Sequence, residues 1–222
     1  MWAFRLPSWV YFIVAPLGLA FAIYLFIDDQ KDEAAKATAR AGNPPAEVTI
    51  DEFDTAKNVG AAGEAVIVGQ VDFNQSYELT KTKRGIERAH YVLAPIYPVD
   101  ATDASQPALG VLMQDGRLSD EQIRNLAVGV GPFAPVLKID GKVLNVADIG
   151  DNASDFAQRV KLTPNSVYID PFENGRAAGL APSSNGRDAA MLIGVVALVL
   201  CGFGLWRRSR EQAQRTAEGD MI

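Results

Sequence analysis

Leu6-Pro7-Ser8-Trp9-Val10-Tyr11-Phe12-Ile13-Val14-Ala15-Pro16-Leu17-Gly18-Leu19-Ala20-Phe21-Ala22-Ile23-Tyr24-Leu25-Phe26-Ile27 runs for 22 residues without a charge. Coiled into a helix, such a run matches a hydrocarbon core of roughly 30 Å. A second block, Ala189 to Trp206, supplies another 18 residues of the same character. The chain is therefore expected to be membrane-bound, with two transmembrane helices flanking one external domain. Ala20-Phe21-Ala22 is a small-x-small triplet of the kind signal peptidases accept. The apolar run continues past it to Ile27, however, so cleavage would leave a hydrophobic new terminus. A retained anchor is the expectation.

Basic residues near the membrane set the orientation. Arg5 precedes the first block, whereas Asp28 and Asp29 follow it; Arg207, Arg208, Arg210 and Arg215 lie behind the second. Both termini are thus expected in the cytoplasm, with the central segment in the periplasm of a bacterial inner membrane, or its mitochondrial inner-membrane equivalent. Residues 28–188 carry 16 Lys and Arg against 24 Asp and Glu, a net charge of −8. Phosphate backbones require clustered cations, so nucleic acid is excluded as a partner. The bilayer itself, and integral membrane proteins of a larger complex, are the expected partners.

The organisation follows from changes of period. Residues 1–27 form the cytoplasmic lead and first helix, and 28–45 a helical stalk closed by Gly42-Asn43-Pro44-Pro45, where proline breaks the hydrogen-bond ladder. Residues 46–172 read as a mainly antiparallel β-domain, a small barrel or sandwich with one or two short helices. Its strands are expected at Ala65–Phe73, with Gly69 as a bulge, at Tyr77–Thr82, and at Arg88–Val99, where Pro95 and Pro98 indicate an edge or bend. A turn is expected near Arg84-Gly85. Further strands are expected at Ala108–Met113, closed by Asp115-Gly116, and at Ser166–Ile169. In Val136-Leu137-Lys138-Ile139-Asp140-Gly141-Lys142-Val143-Leu144-Asn145-Val146, Asp140-Gly141 has the residue types of a type I′ turn, which predicts a hairpin. Ser119-Asp120-Glu121-Gln122 is a capping box that opens a helix, and Ser154–Val160 is a shorter helical stretch. Residues 173–188 form a return linker, 189–206 the second membrane helix, and 207–222 a basic tail.

Chemistry is sparse. One cysteine and one histidine exclude a disulfide framework and any site built from several of either. His90 lies in a strand pattern without an identifiable nucleophile or second ligand, so a half-buried structural imidazole is expected. No nucleophile elbow, Walker loop, His-Glu-x-x-His or Cys-x-x-Cys occurs. Asp148-Ile149-Gly150-Asp151-Asn152-Ala153-Ser154-Asp155 has an acidic composition but not the alternation of a calcium loop, and reads as turn and cap residues. Val128-Gly129-Val130-Gly131-Pro132 follows a helix rather than opening one, so it is a poor phosphate cradle. No cofactor, metal or catalytic residue is assigned.

The membrane helices say more. Ala190, Gly194, Ala197, Cys201 and Gly204 recur at spacings of 4, 3, 4 and 3, which places small residues on one stripe of the second helix. Ala15, Gly18 and Ala22 do the same on the first. Such stripes let helices approach closely, either with each other or with helices of another protein.

Val66-Ile67-Val68-Gly69-Gln70-Val71-Asp72-Phe73 and Ala94-Pro95-Ile96-Tyr97-Pro98, set between two spans, resemble the surfeit-locus family of cytochrome oxidase assembly factors. The resemblance implies an external β-rich domain and a role in assembling a respiratory complex. That family's haem-serving histidine near the second span and its Arg-Gly-Trp-type signature have no counterparts here; Val111-Leu112-Met113-Gln114-Asp115-Gly116 stands at the latter place. The topology is also similar to that of two-span mitochondrial ligases, though no RING zinc ligands follow span two. The expected function is a non-catalytic accessory or assembly subunit of an inner-membrane complex. Two alternatives are a membrane-tethered hydrolase using an unrecognised site and a haem-handling assembly factor.

Overall fold

A computed structural model describes residues 7–83, 86–116, 119–144, 156–157 and 159–219. The chain divides into two compact units, one formed by residues 1–34 and 182–222, the other by 35–181. The first unit is a pair of long helices, α1 (Ser8–Ala41, whose last seven residues belong to the second unit) and the closing helix (Asn185–Gly219). Each contains a stretch long and apolar enough to cross a membrane. Their outward faces are exposed hydrocarbon: Leu17, Phe21 and Ile23 on one, Leu192, Leu198 and Val199 on the other.

The two stripes of small residues face each other. Ala15, Ala22, Ala190 and Ala197 are buried, while Gly194 and Cys201 are half-buried. A Cβ added at Gly18 would lie 3.3 Å from Ala197 Cβ, one at Gly194 3.8 Å from Ala22 Cβ, and one at Gly204 2.8 Å from Tyr11 Cβ. These pairings run in opposite directions along the two helices, as an antiparallel hairpin requires. Tyr11 also packs edge-on against Phe203, with ring centroids 5.4 Å apart. The stripes are thus occupied by the contact between the two helices.

The second unit is built on strands. In chain order they are β1 (Glu47–Thr49), β2 (Glu64–Val71), β3 (Tyr77–Lys83), β4 (Ile86–Tyr97), β5 (Ala108–Asp115), β6 (Ala127–Val130), β7 (Pro135–Leu144) and β8 (Leu162–Pro171). Short helices α2 (Thr55–Asn58), α3 (Asp120–Leu126) and α4 (Arg176–Gly179) interrupt them, so the helix of the first unit that closes the chain is α5. β2 pairs with β4, β4 with β5, β5 with β8, β8 with β7, and β7 again with β2. Only β5–β8 in that ring is parallel. Five strands therefore close into a barrel. Numbered one to five in chain order, they follow the order 1-2-3-5-4-1, the connectivity of an OB-type Greek-key barrel.

Alternation fills the interior. Ala65, Ile67 and Val71 of β2, Ala94 and Ile96 of β4, Leu112 of β5, Leu137 and Ile139 of β7, and Val167 and Ile169 of β8 form one buried cluster. Each fully buried Ile or Leu stabilises by roughly 1.5–3 kcal/mol. Leu93, Tyr97, Val111, Met113 and Tyr168 point to the other face of the sheet, where Ala101, Phe156 and Val160 cover them. The sheet is thus buried on both faces along β4, β5 and β8.

Several local expectations are corrected. Asp140-Gly141 is not a turn: β7 runs through it without a break, pairing Gly141 with Ala65 on one edge and Pro171 on the other. A Cβ at Gly141 would stand 2.3 Å from Asp170 O. Glycine is therefore required by the close approach of β8, not by a positive φ. Gly69 is likewise no bulge, since its pairing register with β7 is continuous; a Cβ there would meet Ile96 Cγ2 at 2.6 Å and Tyr97 O at 2.9 Å. β4 is central rather than an edge. Its partner on one side changes from β3, which ends at Tyr77↔Leu93, to β2, which begins at Val71↔Ile96. Pro95 sits at that break, where a missing N–H leaves no ladder bond unmade. Residues 127–130, which are not among the expected strands, form β6. The 173–188 linker contains α4 and the start of α5. The capping box at Ser119 and Gln122 forms as expected. The turn at Arg84-Gly85, the acidic run 148–155 and the end of the expected hairpin at 145–146 lie outside the described residues.

The helix pairing yields a prediction. Gly194→Leu inserts a branched side chain against Ala22, and overpacking typically costs about 1–3 kcal/mol. Leu198 is 63% exposed, so Leu198→Ile should change little. Denaturant titration of the full chain in detergent micelles should show a lower midpoint for the helix unit in Gly194→Leu alone. Equal midpoints for the two variants would mean that this contact does not hold the helices together.

Candidate functional site

At one end of the barrel, α3 and a 3₁₀ turn (Phe73–Gln75) sit over the interior. The capping box starts α3, with Gln122 N donating to Ser119 Oγ at 3.2 Å and Ser119 N donating to Gln122 Oε1 at 2.8 Å. The helix then turns Ile123 and Leu126 onto the barrel core. Asp72 fixes the 3₁₀ turn by accepting from Asn74 N at 3.0 Å and from Gln75 Nε2 at 3.0 Å. Between these elements lies a cup of about 280 Å³, lined by Phe73, Ser76, Val92, Ala94, Leu112, Gln114 and Ile123. Its wall is apolar apart from Ser76 and Gln114.

Gln114 is 3% exposed. It shares the inward parity of Leu112 on β5, so strand geometry places its amide at the inner wall. Its Nε2 donates to Glu173 Oε1 at 3.3 Å, whereas its Oε1 is buried with no hydrogen-bond partner among the described residues. Buried acceptors without a partner are uncommon and each calls for an explanation. Nearby, Asp170 has its carboxyl pKa raised by loss of water around it, then by the charges of Glu173 and Asp115, with Lys142 offsetting part of this.

A second polar cluster lies where β2 and β7 pair. Arg176 donates from Nε to Glu64 Oε2 at 2.7 Å and from Nη2 to Glu64 Oε1 at 2.9 Å, a forked pair, and again from Nη2 to Ala39 O. Arg40 donates to Leu180 O beside it. Glu64 is only 2% exposed, and its hydrogen bond to Arg176 holds the guanidinium pKa above its ordinary value. Asp140, opposite Val66 in the ladder, has its pKa raised, first by burial and then by Glu64. For Asp140 and Asp170 the sign is the same: each favours the fold most while protonated. That contribution fades as pH rises from the ordinary value of 3.8 through the raised one. Asp54 and Asp103 act oppositely, lowered chiefly by Lys57 and Ser105 respectively.

Gln70 is bonded at both ends of its amide. Its Nε2 donates to Pro98 O, Val99 O and Ala101 O at 2.9, 3.1 and 2.8 Å, and its Oε1 accepts from Phe133 N and Ala134 N at 3.4 and 3.3 Å. One buried amide thus ties the loop after β4 to the turn before β7. Its neighbour there must be glycine, because a Cβ at Gly131 would lie 2.2 Å from Gln70 Oε1.

His90, on β4 opposite Thr80, has a partly exposed imidazole 3.4 Å from Glu78 Oε2. A wider depression of about 560 Å³ lies beside Ile50 and Val167 and includes Thr163 and Ser166. Ser166 Oγ donates to Ala108 O or Thr163 O, so this hydroxyl is engaged by backbone. No group of three or more His, Cys, Asp or Glu side chains is placed to hold a metal among the described residues. The stripe residues Ala15, Gly18, Ala22, Ala190, Gly194, Ala197, Cys201 and Gly204 lie in the helix unit and form no part of the cup. Gln114, Gln70, Glu64 and Arg176 do not stand out in the sequence. The available signal is a polar residue inside an apolar strand, as in Ala65 to Val71 and Ala108 to Asp115.

No protein-family model matches the chain, and no curated protein matches it.

The forked pair carries a testable cost. Removing one partner of a buried ion pair leaves an uncompensated charge, at about 3–5 kcal/mol. Arg176→Ala should therefore lower the unfolding free energy of the β-domain by about that amount. Glu64→Met combined with Arg176→Leu, which removes both charges, should lose much less. Chemical denaturation of the full chain monitored by its β signal checks this; a double variant less stable than Arg176→Ala would contradict it.

Proposed function

We propose that the chain is a non-catalytic accessory or assembly subunit of a larger inner-membrane complex. In this reading its two apolar helices cross the bilayer, both termini are cytoplasmic, and the acidic barrel domain stands in the periplasm or the equivalent mitochondrial space. The excess of arginines outside the two spans supports that orientation, and the resemblance to cytochrome oxidase assembly factors supports a respiratory complex as the assembly concerned.

The observation that carries the reading is β6. All four of its residues are exposed, with Val130 at 94% and Val128 at 57%. It pairs with β7 on one side, and no other strand pairs with it among the described residues. An apolar free edge is an aggregation hazard that soluble domains normally blunt with charge or proline. It is also the element a partner strand uses when it adds to a sheet, with backbone bonds giving affinity and side-chain pockets giving specificity. A bound partner removes the hazard. The helix stripes, being occupied by one another, do not compete for this role.

Val128→Lys with Val130→Lys tests it, since exposed substitutions usually change stability by less than about 0.5 kcal/mol. Native membranes are extracted with mild detergent and separated by native electrophoresis. The wild-type chain should migrate within a much larger assembly and the double variant should fall out of it. A wild-type chain that runs alone, or a double variant retained as well as wild type, would refute the proposal.

A further inference from the structure

A second regular stripe runs along α5. Leu192, Val196, Val199, Phe203, Trp206 and Arg210 recur at spacings of 4, 3, 4, 3 and 4. The first five each lie two positions after a residue of the small-residue stripe, about 200° round the helix at 3.6 residues per turn. We propose that the end of this second stripe is a binding site for an anionic phospholipid. One acyl chain lies along Val196, Val199 and Phe203, and Arg210, with Arg207, holds the headgroup phosphate. This inference rests on the reading that α5 crosses the bilayer.

Length sets the depth. The uncharged run 189–206 is about 27 Å long at about 1.5 Å per residue, close to the roughly 30 Å of a hydrocarbon core. Trp206 therefore falls at the core boundary, where an indole with an apolar body and a polar N–H is favoured. Val196 to Trp206 covers about 15 Å, the hydrocarbon thickness of one leaflet. Arg210 stands about 6 Å further out, inside a headgroup layer about 5–7 Å deep. Leu192, Val196, Val199 and Trp206 are exposed along this path. Phe203 is half-buried and packs against Trp206 with ring centroids 5.5 Å apart.

Charge sets the class of ligand. The Arg210 guanidinium sits 4.4 Å over the Trp206 ring, a contact that uses its flat face and leaves its N–H edge available. Arg210 is exposed, and no carboxylate pairs with it among the described residues. Arg207, three residues back, shares that side of the helix. A guanidinium edge matches two phosphate oxygens in a forked pair. A zwitterionic headgroup also carries a phosphodiester, but its own ammonium is repelled by two arginines. A headgroup with a net negative charge meets no such opposition. A free phosphate ion offers the same oxygens without a chain for the stripe, so a lipid is the source that uses both halves of the site.

Brominated lipids quench tryptophan on contact, and Trp206 stands inside the site. Replacing Trp2 and Trp9 by phenylalanine leaves it as the sole tryptophan. The full chain with those two changes is reconstituted in mixed vesicles of phosphatidylcholine and phosphatidylglycerol, with one or the other lipid brominated on its chains. Comparing the quenching gives the relative affinity of the two lipids at Trp206. Phosphatidylglycerol should be preferred at least threefold. Arg210→Gln should bring that ratio close to one, whereas Arg215→Gln, which removes the same charge outside the site, should leave it unchanged. Equal affinity for two lipids that both quench would overturn the proposal and leave the spanning reading intact. So would an equal loss of preference in Arg215→Gln and Arg210→Gln, the mark of diffuse attraction to a basic tail. Erasure of the preference by inorganic phosphate at constant ionic strength would assign the arginines to a free ion, and would overturn it too. No quenching by either lipid would mean that α5 does not lie in the bilayer, and both readings would fall.

Discussion

The fold depends on the approach of two backbones at Gly141. There β7 passes from pairing with β2 to pairing with β8, and Gly141 faces Ala65 on one edge and Pro171 on the other. A Cβ would sit 2.3 Å from Asp170 O, well inside contact distance. Without that approach β8 has no second edge, the ring opens, and the sheet presents two unpaired margins instead of a closed interior. Gly69 plays the complementary part on β2, where Ile96 and Tyr97 of β4 come close. Two glycines thus allow two strands each to serve two neighbours, and five strands become enough for a barrel.

Closure also decides where polar groups can sit. Gln70 and Gln114 are both buried amides, yet their bonding differs. Gln70 meets backbone at both ends of its amide, which makes it a clamp between two loops. Gln114 lines the cup that opens into the barrel core from beneath α3, and its oxygen has no partner among the described residues. The first amide orders the two loops it joins; the second leaves a sealed acceptor beside the cup. The same closure leaves β6 outside the ring, held by β7, so the apolar edge is a by-product of where β8 joins.

Much of this fold is legible in the sequence. Runs such as Ala65-Val66-Ile67-Val68 and Ala108 to Met113 announce strands through β-branched and apolar content, and Ser119 to Gln122 announces α3 through reciprocal capping. The apolar blocks announce two long helices, and the 4-3-4-3 spacing of small residues announces a close helix contact. Asp140-Gly141 misleads because residue type cannot distinguish a glycine needed for positive φ from one needed for lack of a side chain. β6 escapes notice because it is only four residues long and Gly129 weakens its strand signal, so its strand character comes from pairing with β7. The cup is invisible for a different reason. Its residues come from the 3₁₀ turn, β4, β5 and α3, and only the barrel order, a non-local property, brings Phe73, Val92, Gln114 and Ile123 together.

The measurement that tests closure most directly is backbone amide exchange on the full chain in micelles, comparing wild type with Gly141→Val. Valine has high strand propensity, so local preference alone would leave β7 intact or stabilise it. The account predicts loss of protection in β8 over Val167–Asp170 and in β2 over Ala65–Gln70, with the helices α1 and α5 protected as in the wild type. Unchanged protection in both strands would show that the barrel tolerates a side chain at that point and that its closure does not rest on Gly141.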